Sequence, residues 1–321
     1  MTPLLLAAAL ASSPVHDYRA FTALATEGPG DASAVVLRSF TRGGERFLWV
    51  VDPATLVARA VPAARLRIDP RPWSAIRRAI DATAYGRALR DAGHNAAPLQ
   101  DAGLVRVRPG RAGIDLTLDL CPSRRPLDRV LISALVGGLA GEEKPLPVAI
   151  ALTGAWMQEH PDDLAWLRSL EEGGTLAVTW VNHSFHHRTN PTLPLASNFL
   201  LEPGTDVRSE VLQTERSMLA AGLAPSVFFR FPGLVSRPDI FAKVVALGLV
   251  PLGSDAWLAK NQRPGEGSIV LVHANGNEPL GVRRFLELLR TEREQIRAGT
   301  WQLLDLRESV VETESGPAPE P

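Results

Sequence analysis

The pattern of apolar and polar positions divides the chain into two parts. In the first part, the alternating segments SAVVLRSF and ERFLWVVD flank the glycine pair Gly43-Gly44 and predict two strands around a glycine turn. The stretch from Pro70 to Leu104 carries apolar residues at helical spacing and is therefore expected to be helical. These patterns predict a small N-terminal α+β region over residues 12–108.

After the breaker Arg108-Pro109-Gly110 the pattern changes, and apolar strand-like runs alternate with amphipathic helical runs. The strand candidates begin with GIDLTLDLC and end with WQLLDL. Strands that alternate with helices predict βαβ units, parallel pairing and right-handed crossovers. About seven such units suit a barrel or a doubly wound sheet. We expect this domain to span residues 109–309.

Both ends of the chain have a different character. The start, MTPLLLAAALASSP, has a short apolar run followed by Ala9-Leu10-Ala11, a small-x-small cleavage pattern. Residues 1–11 therefore indicate a signal peptide, with export to a periplasmic or extracellular location. Residues 310–321 are acidic and proline-rich, which predicts a disordered tail. No other apolar run approaches the length of a transmembrane segment.

The net charge and the cysteine count limit the possible partners and cross-links. The net charge of −1 gives no electrostatic reason to expect nucleic acid or an anionic membrane surface as a partner. The one cysteine, Cys121, rules out an intramolecular disulfide.

The most unusual stretch is WVNHSFHHRTNP, residues 180–191, which contains three histidines. His183 and His187 are four residues apart, so on a helical turn their rings would project from the same face. Two converging imidazoles suit a divalent metal such as zinc. The alternative is a polar loop that gathers histidines on a solvated surface.

Polar residues also stand at the ends of several predicted strands. In parallel α/β folds the functional site lies where the carboxyl ends of the strands converge. The residues in question are Asp119, the pair His183 and His187, Arg230, Asp255 and His273. A carboxylate base, a histidine acid and a bound metal are suited to the hydrolysis of an amide or ester by water. The sequence contains no Gly-x-Ser-x-Gly motif to support a serine nucleophile.

These residues together resemble motifs of the polysaccharide deacetylase family, the NodB-homology carbohydrate esterases of family 4. The resemblance covers about residues 113–306. The matching segments, in the family's order, are TLDLCPS (Thr117 to Ser123), NHSFHH (Asn182 to His187), Arg230-Phe231-Pro232, Asp255-Ala256-Trp257 and Leu271-Val272-His273. Gly233 stands where the family's third motif has a tyrosine.

The resemblance implies a fold and an activity. The expected fold is a distorted (β/α) barrel of about seven strands, here with the small N-terminal α+β extension. The expected activity is hydrolytic removal of N-acetyl or related acyl groups from amino sugars of a cell-wall or surface polysaccharide. Substrates would be peptidoglycan, a chitin-like polymer or an exopolysaccharide, and the protein is expected to be a monomer.

The resemblance also implies a function for each matching residue. Asp119 would be the catalytic base, held by Arg230, and His273 the catalytic acid, oriented and charged by Asp255. The metal would be held by His183 and His187. The substrate pocket and oxyanion site would involve Asn182, Trp257 and the backbone N–H of Gly233. Glu278, outside the motifs, is expected to be a solvated carboxylate at the start of a helix.

One departure from the family pattern is serious. Leu120 occupies the position of the family's metal-binding aspartate, and leucine cannot coordinate a cation. Cys121 follows directly and is a possible substitute ligand, although a small buried hydrophobe is the alternative interpretation. The expected cofactor is thus a divalent metal, zinc, that is weakly bound or absent. The alternative function is a catalytically weak or inactive glycan-binding protein that kept the barrel.

Overall fold

The structure, a computed structural model, describes residues 14–28, 33–139 and 145–313. The predicted signal peptide and the tail beyond residue 313 lie outside the described residues. Among the described helices, none has the length and apolar character needed to cross a membrane.

The N-terminal region is an antiparallel sheet followed by two helices. Its strands are β1 (Val15–Thr26), β2 (Ala34–Arg42), β3 (Glu45–Val51), β4 (Ala58–Pro62) and β5 (Arg67–Pro70), in the order β4-β3-β2-β1-β5. The predicted turn between β2 and β3 is confirmed, with positive φ at both Gly43 and Gly44. The helices are α1 (Trp73–Ala79) and α2 (Ala84–His94), separated where the Thr83 side chain caps α2.

The second part forms a curled sheet of parallel strands. They are β6 (Gly113–Leu120), β7 (Leu146–Leu152), β8 (Leu176–Asn182), β9 (Pro225–Arg230), β10 (Val250–Leu252), β11 (Ala256–Trp257), β12 (Ile269–His273) and β13 (Gln302–Leu303). The sheet runs β10-β9-β8-β7-β6-β12-β11, and β13 also pairs with β6. The distorted (β/α) barrel is therefore confirmed.

Helices follow most of these strands, as the pattern predicts. They are α3 (Arg129–Leu139), α4 (Gly154–Glu159), α5 (Pro161–Glu172), α6 (Val207–Ala220), α7 (Pro238–Ala246), α8 (Pro279–Thr291), α9 (Arg293–Arg297) and α10 (Leu306–Glu312). Because α10 begins at Leu306, the start of the tail at residue 310 was placed too early. Asp305 caps this helix, and Leu306 and Val310, four residues apart, are both buried on one face.

A segment of the N-terminal part completes the barrel wall. Leu104 donates its N–H to Pro251 O (2.9 Å) and accepts from Gly253 N–H (2.8 Å), while Val105 O accepts from Ile269 N–H (3.2 Å). The segment thus connects the end of β10 to the start of β12. The boundary expected at residue 108 therefore cuts through the barrel wall, because these backbone bonds are invisible to a hydrophobic pattern.

A buried ion pair fixes the N-terminal sheet to the barrel. Arg38 on β2 is 1% exposed and donates from Nε and Nη2 to both carboxylate oxygens of Glu215 on α6, at 2.6 and 2.8 Å. Arg38 also donates to Leu247 O (2.7 Å), and Tyr18 Oη donates to Glu215 (2.9 Å). A continuous apolar core surrounds this contact, so the two parts form one folded unit.

We expect Glu215→Ala to lower the free energy of unfolding by about 3–5 kcal/mol, because it leaves the Arg38 guanidinium buried without its counter-ion. The matched control is Arg59→Ala, which breaks the half-exposed pair with Glu27 and should cost at most about 1 kcal/mol. Urea unfolding of the full chain measures both. An equal, small loss in the two variants would contradict the importance of the buried pair.

Candidate active site and metal centre

The predicted site residues gather at the carboxyl edge of the parallel sheet. Asp119 near the end of β6 and His273 at the end of β12 lie opposite each other in the register of these neighbouring strands. Arg230 ends β9 and Asn182 ends β8. Strand ends of a parallel sheet meet at one edge, so the barrel brings these residues together as the sequence predicted.

Arg230 is completely buried and lies against Asp119. Its Nη1 donates to Asp119 Oδ1 (3.2 Å) and to Thr117 Oγ1 (2.8 Å), and its Nη2 donates to Gly253 O (3.0 Å). A buried guanidinium needs such partners to offset its desolvation. This set of contacts fixes the orientation of the Asp119 carboxylate.

The segment that carries the histidines is a loop and not a helical turn. Positive φ angles at Ser184 and His187 break any helical repeat. The Glu210 carboxylate holds the loop by accepting the N–H groups of Phe185 and His186, each at 2.8 Å. The four-residue spacing nevertheless brings two rings together, with the centroids of His183 and His187 4.9 Å apart.

His186 in this loop and Asn182 at the end of β8 form contacts away from the His183 and His187 rings. His186 Nδ1–H donates to Glu210 Oε1 (2.6 Å), and its side chain is about half exposed. The buried Asn182 amide donates to Val211 O (3.0 Å) and accepts from Ser184 N–H (3.0 Å). The expectation that Asn182 belongs to the substrate pocket is therefore wrong, because loop contacts occupy both ends of its amide.

Side chains along β6 alternate between the two faces of the strand, and this alternation determines whether Leu120 or Cys121 faces the site. Leu120 is fully buried in the apolar core that packs on the opposite side of the strand from Asp119. Cys121, two residues after Asp119, faces the site, and its Sγ lies 3.5 Å from His183 Nε2. The buried Asn275 amide fixes this position by donating to Cys121 O (2.7 Å). Cys121 is thus part of the site.

Cys121, His183 and His187 form a group that can hold a metal ion. One donor atom from each lies within 4.8 Å of the others. His183 Nδ1–H donates to Arg230 O (2.9 Å), which leaves Nε2 free to bind a metal. His187 Nε2 is buried without a hydrogen-bond partner among the described residues. An unpaired buried donor atom of this kind is costly unless a ligand satisfies it.

The pKa shifts in this group favour the metal-binding protonation states. Burial alone would raise the pKa of the Cys121 thiol, but His187 and His273 outweigh it and lower the pKa to about 7. Burial lowers the pKa of His183 despite the nearby Asp119 carboxylate. A thiolate and a neutral imidazole are the forms that bind zinc, so the residues present fit such an ion.

His273 is held by Glu278 and not by Asp255. His273 Nδ1–H donates to Glu278 Oε2 (2.8 Å), whereas Asp255 Oδ2 pairs with Arg106 Nη2 (2.7 Å). The predicted contact of Asp255 with His273 is therefore wrong, as is the expectation that Glu278 is merely solvated. Burial would lower the pKa of His273, but Cys121, Glu278 and Asp119 raise it well above its ordinary value.

Trp257 lies next to His273, and Gly233 lies next to Phe199. The Trp257 ring lies 5.8 Å from the His273 ring between centroids, with Lys260 Nζ 3.6 Å from the Trp257 centroid. Gly233 has φ 61°, and a β-carbon there would lie 2.5 Å from ring atoms of Phe199. The Phe199 ring also packs edge-on against His187, with centroids 5.5 Å apart. Phe199 thus fills the space beside Gly233.

Sequence reasoning missed several residues of this site. Glu278, Asn275 and Phe199 lie in loops outside the motifs, and Arg106 comes from the N-terminal part. The Glu278-Pro279 step was a usable signal for Glu278, because the helical region is disfavoured for a residue before proline and Glu278 lies outside it.

No family model matches the chain. The solved structures that it resembles are family 4 carbohydrate esterases and peptidoglycan deacetylases, with pseudoenzyme members among them.

A family 4 carbohydrate esterase from Bacillus anthracis is 18% identical over 72% of this chain and 93% of its own, with a TM-score of 0.49. The peptidoglycan deacetylase PdaC from Bacillus subtilis is 17% identical over 64% and 93%, with a TM-score of 0.44. A family 4 pseudoenzyme from Bacillus anthracis is 16% identical over 67% and 70%, with a TM-score of 0.45. These values are low, so function has to be inferred from the chain's own site.

We expect Cys121→Ala and His187→Ala to lower bound zinc from about one equivalent to a small fraction of it, because two remaining ligands hold the ion weakly. His186→Ala is the matched control and should retain zinc, since that ring pairs with Glu210. Metal analysis after dialysis measures all three. Full zinc content in Cys121→Ala would exclude the thiol as a ligand.

Proposed function

We propose that this chain is a divergent polysaccharide deacetylase that removes N-acetyl or related acyl groups from amino sugars of a glycan. The observation that supports this most is the position of Asp119 and His273, side by side across β6 and β12 and next to the Cys121, His183 and His187 group. A base, an acid and a metal-binding group within one small site are suited to amide hydrolysis by water.

In this proposal Asp119 accepts a proton from the attacking water. Arg230 holds the carboxylate through Oδ1, which leaves Oδ2 directed to the histidine side, 3.7 Å from His183 Nε2. A divalent metal held by Cys121, His183 and His187 would supply Lewis-acid polarisation of the acyl carbonyl. Zinc is the expected ion because a thiolate is a soft ligand.

His273 then donates its proton to the departing amine nitrogen as the carbon–nitrogen bond breaks. The Glu278 carboxylate at Nδ1 favours the protonated ring that a general acid requires. The acyl carbon keeps the oxygen of the water, so the products are a carboxylate and a free amino sugar. The N–H of Gly233 is the proposed donor to the oxyanion, and Trp257 walls the acyl group.

The exposure of the site indicates how a polymer would approach it. The exposed fraction of the side chain rises from 3% at Asp119 to 11% at His273 and 31% at Glu278. The site therefore opens on the His273 side, where the leaving amine would remain attached to a sugar outside. A buried acyl group with an exposed sugar is the arrangement that a long glycan requires.

The proposed substrates are peptidoglycan, chitin-like polymers or exopolysaccharides, met outside the cytoplasm by an exported monomer. These proposals rest on the motif resemblance and on the apolar N-terminal sequence.

The test is acetate release by the zinc-loaded full chain from N-acetylglucosamine oligomers and peptidoglycan. We expect Asp119→Asn to lower turnover about 10²- to 10⁴-fold, the usual contribution of a general base, with zinc content unchanged. Asp239→Asn is the control, since this exposed carboxylate pairs only with Arg237 among the described residues.

Two results would contradict the proposal. Zinc-loaded protein that binds these glycans but releases no acetate would support the glycan-binding alternative. Activity that persists without metal and disappears on alkylation of Cys121 would indicate a cysteine nucleophile.

A further inference from the structure

Glu278 is a charged residue of the site that the family motifs do not include. We propose that Glu278 is the positioning residue for the general acid, holding His273 through Nδ1 so that Nε2 faces the scissile bond. This inference rests on the proposed function and replaces Asp255 as the orienting carboxylate.

One oxygen of Glu278 receives two hydrogen bonds. Oε2 accepts from His273 Nδ1–H at 2.8 Å and from Trp257 Nε1–H at 2.7 Å. The indole is itself buried at 9% exposure, so it acts as a rigid second anchor for the carboxylate. An imidazole with one nitrogen held in this way has a fixed ring orientation, as in other histidine–carboxylate pairs.

The backbone keeps Glu278 in place. It precedes Pro279 at the start of α8, with φ −133° and ψ 71°, outside the helical region. Its carbonyl accepts from Gly281 N–H at 3.0 Å, so the turn into the helix is closed. The side chain therefore points back to the end of β12 and not along the helix into solvent.

Asp255 forms an ion pair with a residue other than His273. Its Oδ2 pairs with Arg106 Nη2 at 2.7 Å, and Arg106 also donates to Glu266 O at 2.5 Å. This contact holds the N-terminal wall segment against the barrel. Within the described residues, Asp255 makes no hydrogen bond to His273.

The first test measures turnover by the zinc-loaded full chain. Glu278→Ala should lower kcat about 100-fold, within the range for loss of a general acid, with KM and zinc content nearly unchanged. Glu278→Gln should recover part of that loss, because an amide oxygen can still accept both hydrogen bonds. Asp239→Ala, a matched carboxylate at the start of α7, should have no effect.

A double-mutant cycle separates positioning from a general structural effect. Trp257→Phe removes the second donor to Glu278 and should lower kcat in the native background but not further in Glu278→Ala. Independent losses that multiply in the double variant would overturn the proposal.

The second test does not depend on turnover. Nitrogen-15 NMR of histidine-labelled protein, assigned with His273→Gln, should show a hydrogen-bonded Nδ1–H that is lost in Glu278→Ala and retained in Asp255→Asn. The reverse pattern would overturn the inference. If this signal depends on Glu278 while the native chain releases no acetate, the positioning contact stands and the proposed function fails.

Discussion

The site depends on the contacts of the buried Arg230 guanidinium. A charge with no exposed surface at the edge of a barrel must be neutralised and hydrogen-bonded, and these requirements organise its surroundings. Its side chain fixes Asp119, and its carbonyl accepts from His183 Nδ1–H. One residue at the end of β9 therefore orients both the proposed base and a proposed metal ligand.

The metal-binding group depends on strand geometry. Side chains of β6 alternate between the site and the core, and the Leu120 side chain packs in the core. Cys121 has the same orientation as Asp119, and Asn275 fixes its backbone. A soft thiolate at this position would favour zinc over harder cations.

The sequence predicted the fold because parallel strands and amphipathic helices leave strong periodic patterns. It also predicted that Asp119, Arg230 and His273 converge, since strand ends share one edge of the sheet. The sequence did not predict the loop conformation and side-chain pairings that tertiary contacts determine. The loop of His183 and His187 is set by Glu210, which is distant in sequence. The partner of His273 depends on a turn, and the partner of Asp255 comes from the N-terminal part. Pairings between residues that are far apart in the chain leave no local pattern.

The most direct test of a cysteine-containing metal centre is X-ray absorption at the zinc edge on the zinc-loaded full chain. We expect one sulfur neighbour at about 2.3 Å and two imidazole nitrogens at about 2.0 Å, the usual zinc–ligand distances. A first shell of nitrogen and oxygen neighbours without sulfur would contradict it.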